Sequence, residues 1–192
     1  KEIESLAEYR VRYAQYKSDQ LLQNMHLRCP WFVTWDDHEC DNNYANDISE
    51  LKGTDPADFL IRRANAYQAF YENMPLRRTS VPTGPNLQLY RKASFGQLAE
   101  FMVLDGRQYR SNQPNNDQRS PINTAALNPN ITMLGASQRN WLKQSLIQSH
   151  GTWNVLAQQV MMAIVGMPNS GVPMTYSMDQ WPGYTHERMD LL

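Results

Sequence analysis

The chain has 192 residues and a formal net charge of −1, with 41% hydrophobic and 19% charged residues. This composition is ordinary for a globular protein that builds its own core. No basic stripe stands out beyond Arg62-Arg63 and Arg77-Arg78, which argues against a nucleic-acid-binding surface. No apolar run approaches the roughly 20 residues that span a bilayer, so no transmembrane segment is predicted.

The first 27 residues have a helical pattern. Apolar and aromatic residues recur at steps of three and four, at Ile3, Leu6, Tyr9, Tyr13 and Tyr16. Ser18-Asp19 offers a capping point for a second, shorter helix. We therefore expect two consecutive helices in this part of the chain.

An apolar stretch at residues 31–35 follows and predicts a buried strand. It leads directly into an acidic run, Asp36-Asp37-His38-Glu39-Cys40-Asp41. We expect this strand to deliver the run to the carboxyl edge of a sheet, where ligands and metals gather in open α/β folds. The alternative is a solvated acidic turn, the usual fate of a charge run. The apolar residues before the run, with Trp31 and Trp35 among them, favour the metal site.

The rest of the chain alternates helices with strands. Asp55-Pro56 begins a helix that ends at Met74-Pro75. Residues 87–95 and 98–104 are typical of a hairpin that turns at Gly96, and residues 153–160 of a further strand. A long polar loop, 111–132, and a helix from Gly135 lie between them. A loop at 166–173 and a turn at 179–184 precede a terminal helix. This order predicts an α/β layered fold.

Asp37 and His38 are the strongest candidates for chemistry. Carboxylates suit hard cations, whereas an imidazole binds transition metals or donates to a phosphate oxygen. Successive residues at a strand end point in opposite directions, so the whole acidic run cannot meet one ion. We therefore expect structural roles for Asp36 and Glu39.

Two arginines and one further aspartate are weaker candidates. Arg107 and Arg110 follow the strand 98–104 and should lie at the same sheet edge as Asp37. An arginine there could clamp an anionic substrate, or form a salt bridge with Asp105 or with the acidic run. The two interpretations are balanced for Arg107, and the salt bridge is favoured for Arg110. By its position alone, Asp179 is a turn or helix-cap residue.

The two cysteines, Cys29 and Cys40, flank the predicted strand. Their number and spacing form neither a disulfide framework nor a zinc site. A disulfide across the strand stays open, but two unpaired thiols are favoured.

Several segments together carry a family resemblance. The most specific is Val33-Thr34-Trp35-Asp36-Asp37-His38-Glu39, followed by Asn42-Asn43-Tyr44-Ala45. The others, in chain order, are 9–16, Leu104-Asp105-Gly106-Arg107-Gln108-Tyr109-Arg110, 133–142, 153–159 and 179–184. In this order and spacing, they resemble the PhoD-like alkaline phosphatase/phosphodiesterase family of the metallophosphoesterase superfamily. The resemblance spans essentially the whole chain.

The resemblance implies a metallophosphoesterase-type α/β/β/α sandwich that is incomplete at both ends. Residues 1–192 would be the central part of a single catalytic domain. The implied activity is metal-dependent hydrolysis of phosphate monoesters and/or diesters, with iron(III) and calcium as cofactors. Export by the twin-arginine route is also implied, and with it a periplasmic or secreted location.

The resemblance also implies roles for individual residues. Asp37 matches a metal-ligand position, and His38 matches a histidine beside the scissile phosphate. The match raises Asp179 from a cap residue to a metal ligand. With these assignments, Arg107 would stabilise negative charge in the transition state.

Two further expectations follow. The chain by itself should show little or no phosphatase activity, because the resemblance implies ligands beyond both of its ends. The rival interpretation is a non-catalytic calcium-binding or interaction module in which the acidic loop is structural. The sequence indicates no oligomeric state.

Overall fold

A computed structural model describes residues 2–169 and 172–192. The first half of the chain is mainly helical, with α1 at Leu6–Lys17, α2 at Gln20–Arg28 and α3 at Pro56–Asn73. Each begins with a side-chain cap, from Ser5, Asp19 and Asp55 respectively. Such caps satisfy backbone N–H groups that the first helical turn leaves without partners. The predicted break at Ser18-Asp19 and the helix start at Asp55-Pro56 are confirmed.

The main sheet of the described residues has three strands. Strand β1, Arg91–Phe95, pairs antiparallel with β2, Ala99–Val103, and β2 pairs parallel with β3, Trp153–Ala157. The turn of the β1–β2 hairpin includes Gly96, at a φ of 54° that glycine adopts without strain. Helix α4, Gly135–Ile147, precedes β3 in the chain. The predicted hairpin, helix and further strand are confirmed, but the three strands are shorter than the predicted ranges 87–95, 98–104 and 153–160.

The predicted strand at 31–35 is wrong. These residues form no strand pairing in the described part of the chain. The segment instead packs against β2 through its side chains, with the rings of Phe32 and Phe101 stacked at a centroid separation of 5.2 Å. Side chains hold it there: Thr34 donates from Oγ1 to the carbonyl of Leu104 at 2.8 Å, and Arg91 donates to the carbonyl of Val33 at 2.8 Å.

The predicted loop at 166–173 is also wrong in part. Strands β4, Met167–Asn169, and β5, Val172–Thr175, pair antiparallel. Residues 170 and 171 of the predicted loop lie outside the described residues. Pro168 and Pro173 lie within these two strands, and a two-stranded ribbon tolerates proline because each strand has an edge that needs no N–H donor. Helix α5, Thr185–Leu191, ends the described chain.

Two hydrophobic clusters form the core. The first surrounds α3 and includes Trp35, whose ring stacks on Tyr67 with centroids 3.9 Å apart. The second includes Leu104 and Trp181. Trp35 donates from Nε1 to the carboxylate of Asp105 at 3.0 Å, next to Leu104, so the two clusters meet at the start of the loop after β2. The acidic run and this loop therefore converge at one junction.

The architecture is a mixed α/β fold, as predicted. Cys29 is exposed, Cys40 is buried, and both are unpaired, so the favoured interpretation of two free thiols is confirmed. Burial raises the pKa of the Cys40 thiol to about 12. Among the described helices, none is both long and apolar enough to cross a bilayer.

Candidate functional site

The acidic run folds into a tight turn around Asp37. The backbone carbonyl of Asp37 accepts hydrogen bonds from the N–H groups of Cys40 and Asp41, both at 2.8 Å. Its carboxylate faces the turn, where Oδ1 accepts from the N–H of His38 and Oδ2 from that of Asn43, each at 2.9 Å. Asp37 is thereby buried and fixed in orientation.

The His38 imidazole lies on the open side of the same turn. Its side chain is 78% exposed, and Nε2 lies 3.9 Å from Oδ2 of Asp37 and 2.9 Å from Oδ1 of Asn42. The hydrogen bond with Asn42 raises the pKa of His38, and the negative charge of Asp37 raises it further. The side chains of Asp37 and His38 are therefore neighbours, although they do not follow a strand, because residues 31–35 form none.

Asp36 and Glu39 hold the turn, as expected. The N–H of Asp36 donates to Glu39 Oε2 at 2.7 Å, and Oδ1 of Asp36 accepts from Nε of Arg107 at 2.6 Å. These bonds join the acidic run to the loop that follows β2. Of the alternatives weighed for Arg107, the ion pair with the acidic run is therefore present in the structure.

Arg107 lies at the centre of the cluster and is almost fully buried. It binds the carboxylate of Asp179 with both terminal nitrogens, at 2.9 and 3.1 Å, and Nη2 lies 3.9 Å from Oδ1 of Asp37. Burial acts to lower the pKa of Arg107, but the negative charges of Asp179 and Asp36 outweigh burial and raise it. The guanidinium therefore stays charged, in a fixed orientation.

Asp179 reaches this centre from the other end of the described chain. Besides Arg107, its carboxylate accepts from Nη2 of Arg110 at 2.7 Å and from Nε2 of Gln113 at 3.0 Å. Burial alone would raise the pKa of Asp179, but Arg110 and Arg107 lower it by more. Helix α5 has no side-chain cap, so Asp179 does not serve as the predicted helix cap.

Arg110 also anchors the backbone of the acidic loop. Its Nε and Nη2 donate to the carbonyl of Tyr44 at 3.0 and 2.8 Å, and Nη2 donates to the carbonyl of Asn43 at 2.8 Å. The salt bridge favoured for Arg110 is thus present, with Asp179 as its partner rather than Asp105 or the acidic run.

A second set of residues positions the first, and sequence reasoning gave them no such role. Asp105 is fully buried, and its Oδ1 accepts from Trp35 and from the N–H groups of Arg107 and Gln108, each at 3.0 Å. The buried Gln138 in turn fixes Asp105, because its side-chain oxygen accepts from the N–H of Asp105 at 2.8 Å. Side-chain amides of this kind leave no periodic signal in a sequence, so only the fold reveals them.

Gly106 shows why the loop after β2 has a glycine beside Arg107. A Cβ atom built at Gly106 would lie 3.0 Å from Oε1 of Gln159. That same oxygen accepts the N–H of Gly106 at 3.1 Å, while Nε2 of Gln159 donates to Thr34 at 2.9 Å. Gln159, which is in close contact with Gly106, therefore links the segment before the acidic run to the loop that carries Arg107.

Comparison with known proteins identifies the family of this chain. The model of the PhoD-like phosphatase family matches residues 1–192. The chain belongs to the PhoD-like phosphatase family. Alkaline phosphatase D of Bacillus subtilis (strain 168) is 52% identical over 187 residues, which cover 97% of this chain and 32% of that protein.

A solved structure agrees with the sequence comparison. The structure described as PhoD superposes with a TM-score of 0.94 at 51% identity, covering 99% of this chain and 36% of that one. The α/β fold of this PhoD-like chain is therefore that of the matched part of PhoD. The chain spans about a third of the length of these relatives.

Membership of the family implies dependence on a metal ion. The question is then whether the side-chain donors of this site suit such an ion. Asp37 and Asp179 offer oxygens, the donors that hard cations prefer. The oxygens of Asp179 already bind Arg107 and Arg110, so a cation there would share them with two guanidinium groups. Within residues 2–169 and 172–192, no three His, Cys, Asp or Glu side chains are grouped closely enough to hold a metal. The donor chemistry fits a hard cation, but the described residues supply only part of a coordination sphere.

Proposed function

We propose that residues 1–192 form the central part of a single catalytic domain that hydrolyses phosphate monoesters and/or diesters with the help of metal ions. The observation that carries this proposal is the cluster of Asp37, His38, Arg107 and Asp179 in a chain of the PhoD-like family. The rival role, a calcium-binding or interaction module, has less support. A purely structural acidic loop would have its contacts within itself, whereas Asp36 of this loop pairs with Arg107, a buried arginine of another loop.

Asp37 and Asp179 are the proposed metal ligands, and iron(III) and calcium are the proposed metals. A bound metal would supply positive charge that neutralises the phosphate and activates water for attack. Two backbone N–H groups orient the Asp37 carboxylate, so it needs little reorganisation to bind a cation. Ligands beyond the described residues would complete the coordination sphere.

Arg107 is proposed to stabilise negative charge on the phosphate in the transition state. Its guanidinium is charged and held on two sides by Asp36 and Asp179. Preorganised charge of this kind costs no rearrangement at the moment of reaction, which is why it favours the transition state.

His38 is proposed to donate a hydrogen bond from its imidazole to a phosphate oxygen or to the departing alcohol. Its ring is exposed on the open side of the turn, where a substrate can reach it. The raised pKa of His38 keeps the ring protonated to a higher pH than that of an isolated histidine, which favours a donor role.

We also propose that the substrate is a small phosphoester and that the protein acts in the periplasm or after secretion. The family and the name of the Bacillus subtilis relative support the substrate class. Export by the twin-arginine route remains a proposal from the resemblance.

The test is hydrolysis of p-nitrophenyl phosphate and bis(p-nitrophenyl) phosphate by the full-length protein, with metal analysis of the same sample. Chelation should abolish turnover, and readdition of iron(III) and calcium should restore it. Turnover that persists in a preparation shown to be free of metal would contradict the proposal, and so would a metal-loaded protein that hydrolyses neither ester.

A further inference from the structure

Three side chains of the acidic loop form a continuous chain of hydrogen bonds on its open side. Nε2 of His38 lies 2.9 Å from Oδ1 of Asn42, and Nδ2 of Asn42 donates to Oε2 of Glu50 at 2.7 Å. This His38–Asn42–Glu50 chain begins at the proposed phosphate donor and ends on a carboxylate. It shares no hydrogen bond with the network around Arg107.

The donor and acceptor atoms of the His38–Asn42–Glu50 chain fix its direction. A carboxylate offers only acceptors, so the amide nitrogen of Asn42 faces Glu50 and the amide oxygen faces His38. An amide oxygen also only accepts, so Nε2 of His38 carries a hydrogen whether the ring is neutral or charged. Nδ1 is therefore the ring nitrogen that remains for an oxygen of the substrate, and in the charged ring it is a donor.

His38 needs such a partner because packing does not hold its ring. Its side chain is 78% exposed, whereas that of the neighbouring Asp37 is 11% exposed. An exposed side chain can occupy several rotamers, and ordering it costs conformational entropy. A hydrogen bond already present in the free protein supplies this order before the substrate binds, which lowers the barrier to reaction. The bond with Asn42 thus selects one orientation of the imidazole.

Glu50 acts on Asn42 as Asn42 acts on His38. Asn42 is also exposed, so without a partner its amide could rotate and present nitrogen instead of oxygen to the imidazole. A hydrogen bond to a carboxylate is of the stronger, charge-assisted kind. The carboxylate also polarises the amide, which makes Oδ1 a better acceptor for Nε2 of His38. Glu50 therefore strengthens the orientation of His38 without touching it.

We propose that Asn42 and Glu50 are positioning residues that act through His38. Together they fix the plane of its ring and the hydrogen on Nε2, and so direct Nδ1 to an oxygen of the substrate. A carboxylate that orients a reacting histidine is a familiar arrangement, and here an amide is inserted between the two groups. The inference rests on the proposed phosphoesterase function and adds two residues to it, neither of which contacts the substrate.

A double-mutant cycle in the full-length, metal-supplied protein tests the role of Asn42. The substrate is p-nitrophenyl phosphate or bis(p-nitrophenyl) phosphate, whichever the wild type hydrolyses faster. His38→Ala should lower kcat/KM about a hundredfold, as expected for loss of a positioned donor. Asn42→Ala should lower it about tenfold, mainly through kcat and with unchanged metal content, because the ring is misplaced rather than absent.

The decisive variant of this cycle is the double mutant. In the His38→Ala protein, Asn42→Ala should cost less than about twofold further, because no ring is left to orient. A role of Asn42 in the general structure of the loop would instead lower activity by the same factor in both backgrounds. An equal loss in the two backgrounds, or no loss on Asn42→Ala alone, would overturn the inference.

An exchange of the two functional groups tests the role of Glu50. Asn42→Asp alone places two carboxylates side by side and should lower kcat/KM about tenfold, since like charges repel and the chain breaks. Asn42→Asp combined with Glu50→Gln restores both hydrogen bonds, because the new carboxylate accepts from His38 and from the new amide. This pair should recover to within about threefold of the wild type. Absence of recovery would overturn the part assigned to Glu50.

The matched control is Asn24→Ala, which removes an exposed asparagine of α2 whose side chain bonds only to Gln20, at 3.1 Å, among the described residues. It should leave kcat/KM unchanged. If His38→Ala retains wild-type turnover, the role proposed for His38 fails and this inference fails with it. If the wild type hydrolyses neither ester, the proposed function itself fails.

Discussion

Three aspartates and two arginines share the centre of the candidate site, which leaves one negative charge in excess. Asp36, Asp37 and Asp179 all lie within 4 Å of Arg107, and Arg110 binds Asp179 from the other side. Charges removed from water must be paired to be tolerated. This excess of one negative charge among the five side chains is an electrostatic reason for the metal binding that we propose at Asp37.

Arg107→Lys tests the role of the guanidinium. Lysine keeps the charge but cannot bind Asp36 and Asp179 together through a planar fork, so the charge should lose its fixed position. We expect kcat/KM for a phosphoester to fall by about a hundredfold in the full-length protein. Arg10→Lys is the matched control, because Arg10 pairs with Glu72 at the surface and should tolerate the change. Equal activity of the two variants would rule out the role proposed for Arg107.

Asp179→Asn tests the proposed metal ligand. The amide keeps the size of the side chain but removes the charge that Arg107 and Arg110 share, so both metal content and kcat should fall. Stability should also decrease, by about 3 kcal/mol, because two buried cations lose their partner. Metal analysis and urea unfolding of the full-length variant measure these effects.

Asp190→Asn is the control for this change, since Asp190 pairs with Lys143 at the surface. A folded Asp179→Asn protein with full metal content and unchanged turnover would show that Asp179 is not a ligand. Loss of stability with unchanged metal content per folded molecule would leave it a purely structural role.

At the scale of elements, the residues of the candidate site lie in loops, and helices and strands fix the ends of those loops. The acidic loop runs between α2 and α3, the loop with Arg107 follows β2, and the turn with Asp179 precedes α5. None of the site residues lies within a helix or strand. Their precision comes instead from side-chain hydrogen bonds between separate segments, such as that of Trp35 with Asp105 and that of Gln159 with Thr34. Rigid loop sites of this kind are common because scaffolds position them.

Gly183→Ala tests how tightly the Asp179 turn is packed. A Cβ atom at Gly183 would lie 2.1 Å from the backbone carbonyl oxygen of Met178, so the turn would have to move. We expect a loss of roughly 3 kcal/mol in stability, typical of a severe backbone clash, together with reduced activity. Thermal and urea unfolding of the full-length protein provide the measurement.

Gly53→Ala separates this clash from ordinary backbone strain. Gly53 has a φ of 88° and open space around its Cβ position, so alanine there should cost only about 1 kcal/mol. If both variants lose the same stability, close packing at Gly183 is not what holds the turn.

At the scale of the whole molecule, the chain spans 32% of the Bacillus subtilis relative and 36% of the solved PhoD chain. Its described part nevertheless has two packed hydrophobic clusters that meet at the candidate site. Large apolar side chains also remain exposed near the sheet, including Phe32, Phe95 and Trp153. The described residues are thus organised internally but do not cover all of their own apolar surface.

Residues 1–192 produced alone should therefore show weak or no phosphoesterase activity. The described residues supply at most part of a metal coordination sphere. We expect kcat/KM at least a hundredfold below that of the full-length protein when both are supplied with the same metals. Circular dichroism on both samples would establish whether the shorter chain is folded. Robust metal-dependent turnover by the folded 1–192 chain would contradict this expectation.

The sequence by itself determined the local features of this protein. Asp55 and Pro56 predict the start of α3, because capping and proline geometry depend on neighbouring residues alone. The β1–β2 hairpin follows from alternation around Gly96 in the same way. The acidic run and the other segments that carry the family resemblance were specific enough to indicate the family, because their residue types and spacing can be read without coordinates.

Only the tertiary structure decided how those features meet. Residues 31–35 have the composition of a strand, but a strand needs a backbone partner, and here the carbonyl of Val33 accepts from the side chain of Arg91 instead. The pairing of Asp179 with Arg107 and Arg110 joins residues about 70 positions apart, and no local pattern records such a contact. Long-range hydrogen bonds and ion pairs depend on where the whole chain places two side chains. The sequence therefore suggested the pair of Arg107 with the acidic run but not the pairing of Asp179 with Arg107 and Arg110.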